Sequence, residues 1–164
     1  MEKITIRMAS KVDIPDLVRL RRMMFEDMGF DDPEKLDAAD TAVAVYLATA
    51  LPDQQFQGWL AVTATGVAVG SGGVVIDRHP PGPNNLTGQI GYIMNVVTDP
   101  RYRRQGIARR IMETMLDWLT SQGIQVLALH ASDMGRPLYE QLGFESSNEM
   151  RCQTDAQAST ETQT

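Results

Sequence analysis

Apolar and polar residues follow two periods along this chain, and the two periods predict a mixture of strands and helices. Short runs that are apolar, or that alternate every second residue, predict strands at residues 4–8, 59–63, 67–76, 92–97 and 124–129. Longer segments with apolar residues three or four positions apart predict helices at residues 14–28 and 36–50, from between 104 and 106 to 122, and at 133–142. A last strand is predicted at residues 144–151.

Turn residues and connections indicate how these elements are joined. Thr65 and Gly66 lie between two predicted strands and are typical of a hairpin. A predicted helix separates the strands at 92–97 and 124–129, so we expect these two strands to run parallel. The pattern therefore predicts a mixed α/β fold. Three glycines in the second hairpin strand indicate a β-bulge or the close approach of another element: Gly70, Gly72 and Gly73.

Composition narrows the classes of function. The chain has 164 residues, of which 43% are hydrophobic, and this is typical of one globular domain, placed at residues 1–152. The polar tail, 153–164, is expected to be disordered. A net charge of −6 argues against nucleic-acid binding, and no apolar run reaches the length of a membrane span or a signal peptide. The single cysteine, Cys152, cannot form an internal disulfide, which favours a reducing cytoplasm.

Basic residues are concentrated around the start of the third predicted helix. Five of the fifteen Lys and Arg residues fall between positions 101 and 110, and no acidic residue lies in that interval. A helix start carries unpaired N–H groups and about half a positive charge, which suits a phosphate. Gly106 and Ala108 leave room for a ligand near the backbone, and Arg103, Arg104 and Arg109 can supply cations. The segment therefore predicts a phosphate-binding site.

Three segments, in order along the chain, resemble the GNAT acyltransferase superfamily. The run Arg103-x-x-Gly106-x-Ala108 resembles the Q/R-x-x-G-x-G/A signature that holds the pyrophosphate of acetyl-CoA in that family. Residues 92–97 resemble the strand that precedes the signature, and residues 138–144 (LYEQLGF) resemble a later Y-E-x-L-G-F element. The resemblance implies a GNAT fold, with a central mixed, twisted sheet of six to seven strands flanked by about four helices.

The resemblance also implies an activity. A protein of this kind is an N-acetyltransferase, an acyltransferase that moves an acetyl group from acetyl-CoA directly to an amine in a ternary complex, without a metal. Its fourth and fifth strands splay apart, and the backbone there contacts the pantetheine arm and the thioester. A homodimer is implied as well. The positions that the resemblance assigns to CoA binding are Val96, Val97, Thr98, Arg103, Arg104, Gln105, Gly106, Ile107, Ala108, Arg109, Ser132, Arg136 and Tyr139.

The resemblance assigns the general acid but not the general base. Tyr139 occupies the family's usual general-acid position, and an unperturbed phenol, with a pKa of about 10, keeps its proton available to a thiolate of pKa about 8.5. Many relatives carry a glutamate on the fourth strand, commonly where this chain has Met94. His130 is a candidate base, because histidine changes charge near neutral pH. His79 and Glu149 rank below it, and a chain of water molecules is an equal alternative.

The sequence decides neither which amine is the acceptor nor whether the protein turns it over. The acceptor is a small amine, an amino acid or a protein amine, and neither a nucleic-acid nor a membrane partner is expected. Seven acidic residues between positions 26 and 40 indicate solvated helix ends, with attraction of a cationic substrate as the alternative. A second class of function is an acyl-CoA-binding sensor or interaction domain without turnover. The missing glutamate on the fourth strand favours this class, whereas Tyr139 counts against it.

Overall fold

The computed structural model describes residues 1–154, and the chain divides into two compact units, Met1–His130 and a second that starts at Ala131. Within the described residues, the first unit contains five strands and three α-helices: β1 (Ile4–Met8), α1 (Ile14–Asp27), α2 (Pro33–Ala50), β2 (Phe56–Thr63), β3 (Ala68–Arg78), β4 (Gln89–Thr98), α3 (Ile107–Ser121) and β5 (Val126–Leu129). Short 3-10 helices occur at Lys11–Asp13 and Pro100–Tyr102. The described part of the second unit contains one helix, α4 (Arg136–Gln141).

The strands form one mixed sheet in the order β1-β2-β3-β4-β5. The first three pairs are antiparallel, and β4 and β5 are parallel, which confirms the predicted mixed α/β architecture. The number of strands in the described residues is five instead of six to seven. The prediction of a strand at residues 144–151 is wrong: these residues form no strand, and all but Phe144 are exposed. The segment holds five polar residues in a row, 145–149, and so offers no alternating apolar face to bury.

The two faces of the sheet are covered by different helices. Phe56 and Leu60 of β2 are buried in a cluster with residues of α1 and α2. Trp59 points to the opposite face, where its ring contacts Trp118 of α3 at a centroid distance of 5.4 Å. Five residues of α3 are buried at helical spacing, as the apolar period predicts: Ile107, Ile111, Met112, Met115 and Leu119. The first unit therefore has its sheet packed between α1 and α2 on one side and α3 on the other.

Adjacent glycines of β3 allow close packing on both faces of the sheet. A Cβ atom on Gly72 would lie 2.7 Å from Ile111 Cγ2, and one on Gly73 would lie 2.2 Å from the ring of Phe56. Neither position can hold a side chain without displacing its neighbour. The expectation that these glycines mark a close approach is confirmed, and α3 lies directly against the middle of the sheet.

Helix boundaries follow local capping chemistry. The helix predicted at residues 36–50 begins earlier, at Pro33, because the side chain of Asp32 accepts hydrogen bonds from the backbone N–H groups of Glu34 and Lys35. Gly29, Gly123 and Gly143 follow α1, α3 and α4, each with a positive φ. Among residues 1–154, no helix combines the length and apolar character needed to cross a membrane.

Candidate active site

A β-bulge distorts β4 in the middle of the predicted donor site. Gly73 is opposite Met94 and Ser71 is opposite Val97, so the two residues Asn95 and Val96 together oppose Gly72 alone. Asn95 has a φ of 56°, a left-handed conformation that Asn adopts more readily than most residues. The buried hydroxyl of Ser71 donates a hydrogen bond to the carbonyl oxygen of Asn95 across the bulge, at 3.4 Å.

From residue 94 onwards, no strand of the described chain pairs with β4 on its β5 side. The β4–β5 ladder begins at the pair Ile90 and Val126 and ends at the pair Ile93 and Leu129. Residues 94–98 continue β4 without β5, and three predicted CoA-binding residues lie on this stretch: Val96, Val97 and Thr98. The hydroxyl of Thr98 is buried and has no hydrogen-bond partner in the described residues. On this side β5 ends at Leu129, the last residue of the ladder, so residues 94–98 of β4 have no partner strand there in the described residues. The splaying of the two strands stays a prediction.

The start of α3 offers backbone donors without a cap from the protein. Gly106 is the N-cap residue, with a φ of 74° and no side chain, so no side-chain hydrogen bond caps the helix. Arg104, two residues earlier, also has a left-handed φ, of 62°. A Cβ atom on Gly106 would have no heavy atom of the described chain within 4 Å. The first-turn N–H groups of α3 therefore border open space, which confirms the predicted helix start and suits an anion.

Four of the five arginines in the basic segment have partners among the described residues, two of them close in the sequence and two far away. Arg101 binds the buried carboxylate of Asp99 with two guanidinium nitrogens, at 2.8 and 3.1 Å, and holds the pKa of that carboxyl below its usual value. Arg109 lies 3.8 Å from Glu113. Arg110 donates to the backbone carbonyl of Ile4 at 2.8 Å.

Two arginines of the signature differ in their freedom to contact a ligand. Arg103 donates from Nε to the carbonyl oxygen of Thr98 at 3.1 Å and forms an ion pair with Asp27 at the end of α1. Arg104 is exposed and forms no ion pair or hydrogen bond with its side chain inside the described part of the chain. Of these two arginines, Arg104 is therefore the one whose charge is available to a ligand, whereas Arg103 stabilises the loop that precedes α3.

A cleft of about 380 Å³ lies beside the bulge, on the α1–α2 face of the sheet. Sequence reasoning did not find it, because its walls come from four elements that are far apart in the chain. Met94 and Asn95 form its β4 side, and its lining holds no carboxylate. Tyr46 contacts Phe56 edge to face, and burial, aided by the charge of Asp77, raises the pKa of Tyr46. Six of the residues that line the cleft are Arg21, Val43, Tyr46, Phe56, Met94 and Asn95.

His130, the candidate base, follows the last residue of β5. It is exposed, and its Nδ1 atom forms a hydrogen bond with the hydroxyl of Tyr92 on β4. The two rings lie 5.7 Å apart, so Tyr92 orients the imidazole. His79 is exposed in the loop after β3, and Glu149 is exposed beyond α4. None of the described residues form a group of three or more His, Cys, Asp and Glu side chains that could hold a metal ion.

The second unit holds the predicted general acid. Tyr139 lies on α4 with its ring buried against Gly135 and Phe144, at a centroid distance of 6.2 Å from the latter. Burial raises the pKa of Tyr139. Its hydroxyl has no hydrogen bond in the described residues and is not one of their buried unpaired atoms, so it reaches solvent. Ser132 accepts a hydrogen bond from the N–H of Gly135 in the turn before α4, and Arg136 is exposed.

The model of one known protein family matches most of this chain. The model described as the acetyltransferase (GNAT) family matches residues 17–144. A GCN5-related N-acetyltransferase from Ralstonia eutropha is similar in structure, with a TM-score of 0.85 and 29% identity, covering 93% of this chain and 99% of that one. A predicted acetyltransferase with acetyl-CoA, from Clostridium acetobutylicum, has a TM-score of 0.84 and 26% identity, covering 93% and 96%.

A curated relative aligns over a shorter segment. The glucosamine 6-phosphate N-acetyltransferase of Trypanosoma brucei brucei is 33% identical over 82 residues, which is 49% of this chain. The aligned segment spans about half, 52%, of that enzyme's own length.

Proposed function

Because the chain belongs to the acetyltransferase (GNAT) family, we propose that it transfers an acetyl group from acetyl-CoA to a primary amine. The observation that carries the proposal is that the uncapped start of α3 follows closely along the chain after residues 94–98 of β4, which have no partner strand on the β5 side in the described residues. The path between them would offer anion-binding donors at one end and the backbone of β4 at the other. Two of the three relatives named above are N-acetyltransferases, and one of these two acts on an amino sugar.

The donor would lie along this path with its charged end at α3. The N–H groups at the start of α3 and the exposed Arg104 would bind the pyrophosphate, with Gly106 and Ala108 leaving room for it. The backbone of Val96 and Val97 and the unpartnered hydroxyl of Thr98 would bind the pantetheine arm and the thioester. Five further residues complete the proposed set of CoA contacts: Gln105, Ile107, Arg109, Ser132 and Arg136. Ile107 would make its contact through its backbone, because its side chain is buried.

Transfer requires two proton movements. The amine nitrogen attacks the thioester carbonyl, a C–N bond forms, and the C–S bond breaks to release a thiolate. Tyr139 would give its proton to that sulfur, and the raised pKa of its phenol keeps the proton in place at neutral pH. The proton lost by the amine goes to His130, held by Tyr92, or to a chain of water molecules. Direct transfer in a ternary complex needs no covalent enzyme intermediate.

Tyr139→Phe tests the activity and the role of the phenol together. We expect wild type to bind acetyl-CoA in calorimetry and to release CoA thiol with at least one amine. The variant should keep its acetyl-CoA affinity and lose roughly 100-fold or more in kcat, because general-acid catalysis contributes about that much. Equal kcat in the two proteins would remove Tyr139 from the mechanism. Failure of wild type to bind acetyl-CoA would overturn the whole proposal.

A specific observation favours the second candidate, an acyl-CoA-binding sensor without turnover. The cleft beside β4 contains no carboxylate, and Met94 occupies the position where many relatives have a glutamate. Tight binding of acetyl-CoA without turnover on a broad panel of amines, amino acids and peptides would support this candidate over the enzyme.

A further inference from the structure

Two consecutive arginines of α1 have opposite surroundings. Arg22 binds three carboxylates: Glu26 at 3.0 Å, Asp37 at 2.6 Å and Asp40 at 2.9 Å. Arg21, its neighbour, has no ion pair within 4.0 Å and no side-chain hydrogen bond among the residues that the structure describes. Since both side chains lie within reach of the acidic segment, the lack of a partner for Arg21 requires an explanation.

The guanidinium of Arg21 is fixed in position without being neutralised. Its Cζ atom lies 4.6 Å above the centre of the Phe25 ring, one helical turn further along α1. Its Nε atom is buried without a partner, whereas the terminal nitrogens are not buried, so these nitrogens are the part of the group that a ligand can reach. Asp40 is the nearest negative influence on Arg21, but its carboxylate already binds Arg22. A partly buried, unpaired cationic group is costly unless something else compensates it.

Arg21 lines the cleft that opens beside β4. The other walls are mainly apolar, with Val43 and Phe56 among them, and the lining includes no second cation and no carboxylate. Met94 and Asn95 line the cleft from β4, just after the last residue that β4 pairs with β5. The lining thus combines apolar side chains, a cation on α1 and, on β4, the strand segment at which the thioester would be presented. Such a site selects for a molecule with an anionic group.

We propose that Arg21 binds the oxyanion group of the acceptor, so that the acceptor is a primary amine that also carries a carboxylate or a phosphate. The terminal guanidinium nitrogens supply two parallel donors, which match two oxygens of either group. The amine of the same molecule would then lie towards Asn95 and Met94. This inference rests on the proposed acetyl transfer. It argues against the alternative that the acidic segment of residues 26–40 attracts a cationic substrate. Most of those carboxylates already bind Arg22 or Arg103 or cap α2.

The test compares matched acceptors that differ only in the anionic group. One arm pairs amino acids with their amides, and the other pairs glucosamine 6-phosphate with glucosamine, so the two arms separate carboxylate from phosphate. We expect wild type to prefer the anionic member of at least one pair. Arg21→Gln should raise the KM for that member by roughly 10- to 100-fold, the usual loss for a hydrogen bond to a charged group, with little change for the neutral member.

Two further variants separate recognition from folding and from net charge. Arg21→Lys keeps the charge and should recover part of the affinity for the anionic acceptor. Lys35→Gln removes one positive charge from α2, where the Lys35 side chain is 84% exposed, and should leave every KM unchanged. The acetyl-CoA dissociation constant of each variant serves as the check on folding, because Arg21 does not belong to the donor path.

The outcomes distinguish this inference from the proposed function. Equal use of charged and neutral acceptors, or an equal loss for both in Arg21→Gln, would overturn the inference while acetyl transfer stands. Binding of acetyl-CoA with no acceptor in either arm turned over would also overturn it. Failure of wild type to bind acetyl-CoA would instead overturn the proposed function itself.

Discussion

Asp13 shows how one buried carboxylate can join two elements. Asp13 is the N-cap residue of α1, yet its side chain makes no cap bond to that helix. It accepts hydrogen bonds from two guanidinium nitrogens of Arg7, at 2.8 and 2.9 Å, and from the backbone N–H of Ser10 at 2.8 Å. These bonds tie the end of β1 to the start of α1. The hydrogen bonds from Arg7 lower the pKa of Asp13 to about 2.

Asp13→Asn should therefore destabilise the protein in a pH-dependent way. A carboxyl whose pKa is lowered in the folded state contributes stability above its unfolded pKa of about 4, and loses it as the pH falls towards 2. We expect a loss of roughly 1–3 kcal/mol in the free energy of unfolding at pH 7, shrinking as the pH approaches 2. Urea unfolding at pH 7, 5, 3 and 2 measures it.

Asp16→Asn provides the matched control for that experiment. Asp16 pairs with Arg19 at 3.0 Å, but both side chains are more than 40% exposed. An exposed pair of this kind contributes about 0–1 kcal/mol, so this variant should unfold almost like wild type at every pH. A loss in Asp13→Asn that stays constant from pH 7 to 2 would contradict the assigned ion pair.

The basic segment marks the limit of sequence reasoning at the residue scale. The signature, which includes Gly106, consists of neighbouring residues, so it could be recognised from the sequence alone. Two of the partners of the arginines are far away in the sequence: Asp27 lies 76 positions from Arg103, and Ile4 lies 106 positions from Arg110. A count of the charges in a short segment therefore overstates the positive charge that is available to a ligand. Only the folded structure distinguishes Arg104 from the arginines that contact other residues of the protein.

At the scale of single elements, α3 is bounded by two glycines with the same backbone conformation. Gly106 precedes the helix and Gly123 follows it, each with a φ of 74°. A Cβ atom at either position would have no heavy atom of the described chain within 4 Å. Alanine at either position adopts a strained left-handed conformation at a cost of roughly 1–2 kcal/mol. The two positions therefore form a natural pair for separating strain from ligand binding.

Gly106→Ala should weaken acetyl-CoA binding, whereas Gly123→Ala should not. The added methyl group at Gly106 occupies the space beside the first-turn N–H groups, and loss of one charge-assisted hydrogen bond there raises the dissociation constant roughly tenfold or more. Gly123→Ala should show a similar loss of stability with an unchanged dissociation constant. Calorimetry and thermal unfolding of both variants measure the two effects. Equal affinity in the two variants would argue against phosphate binding at this helix start.

Helices and internal strands of this chain could be predicted from their periods, but its C-terminal segment could not. The apolar face of α3 repeats over more than three turns, so its position was clear. The strand predicted at residues 144–151 does not form, because the polar run at 145–149 has no face to bury. The bulge at Asn95 depends on the register between β3 and β4, which no local pattern encodes.

At the scale of the whole molecule, acetyl-CoA should stabilise the folded state. A ligand that binds only the folded protein adds about 2.7 kcal/mol at a concentration 100 times its dissociation constant. We expect the unfolding temperature to rise with acetyl-CoA concentration in that proportion, and to rise far less with free acetate. A transition that does not move at saturating acetyl-CoA would contradict binding to the native state.

The fold class and the family could be predicted because three short segments carry them, whereas the cleft could not. Arg21, Tyr46, Phe56 and Met94 come from α1, α2, β2 and β4, and nothing in the sequence shows that these side chains meet. The homodimer and the cytoplasmic location stay predictions.

The glycines of β3 have a consequence for the length of the donor. Because Gly72 lets α3 lie against the sheet, the start of that helix and residues 94–98 of β4 belong to one packed pair, and we expect the spacing between them to be constant. A donor bound as proposed would be positioned by its phosphate end, and its acyl carbon would lie at a fixed distance from that end. An acyl chain longer than acetyl would then need further space beside the proposed thioester position, where it would compete with the acceptor.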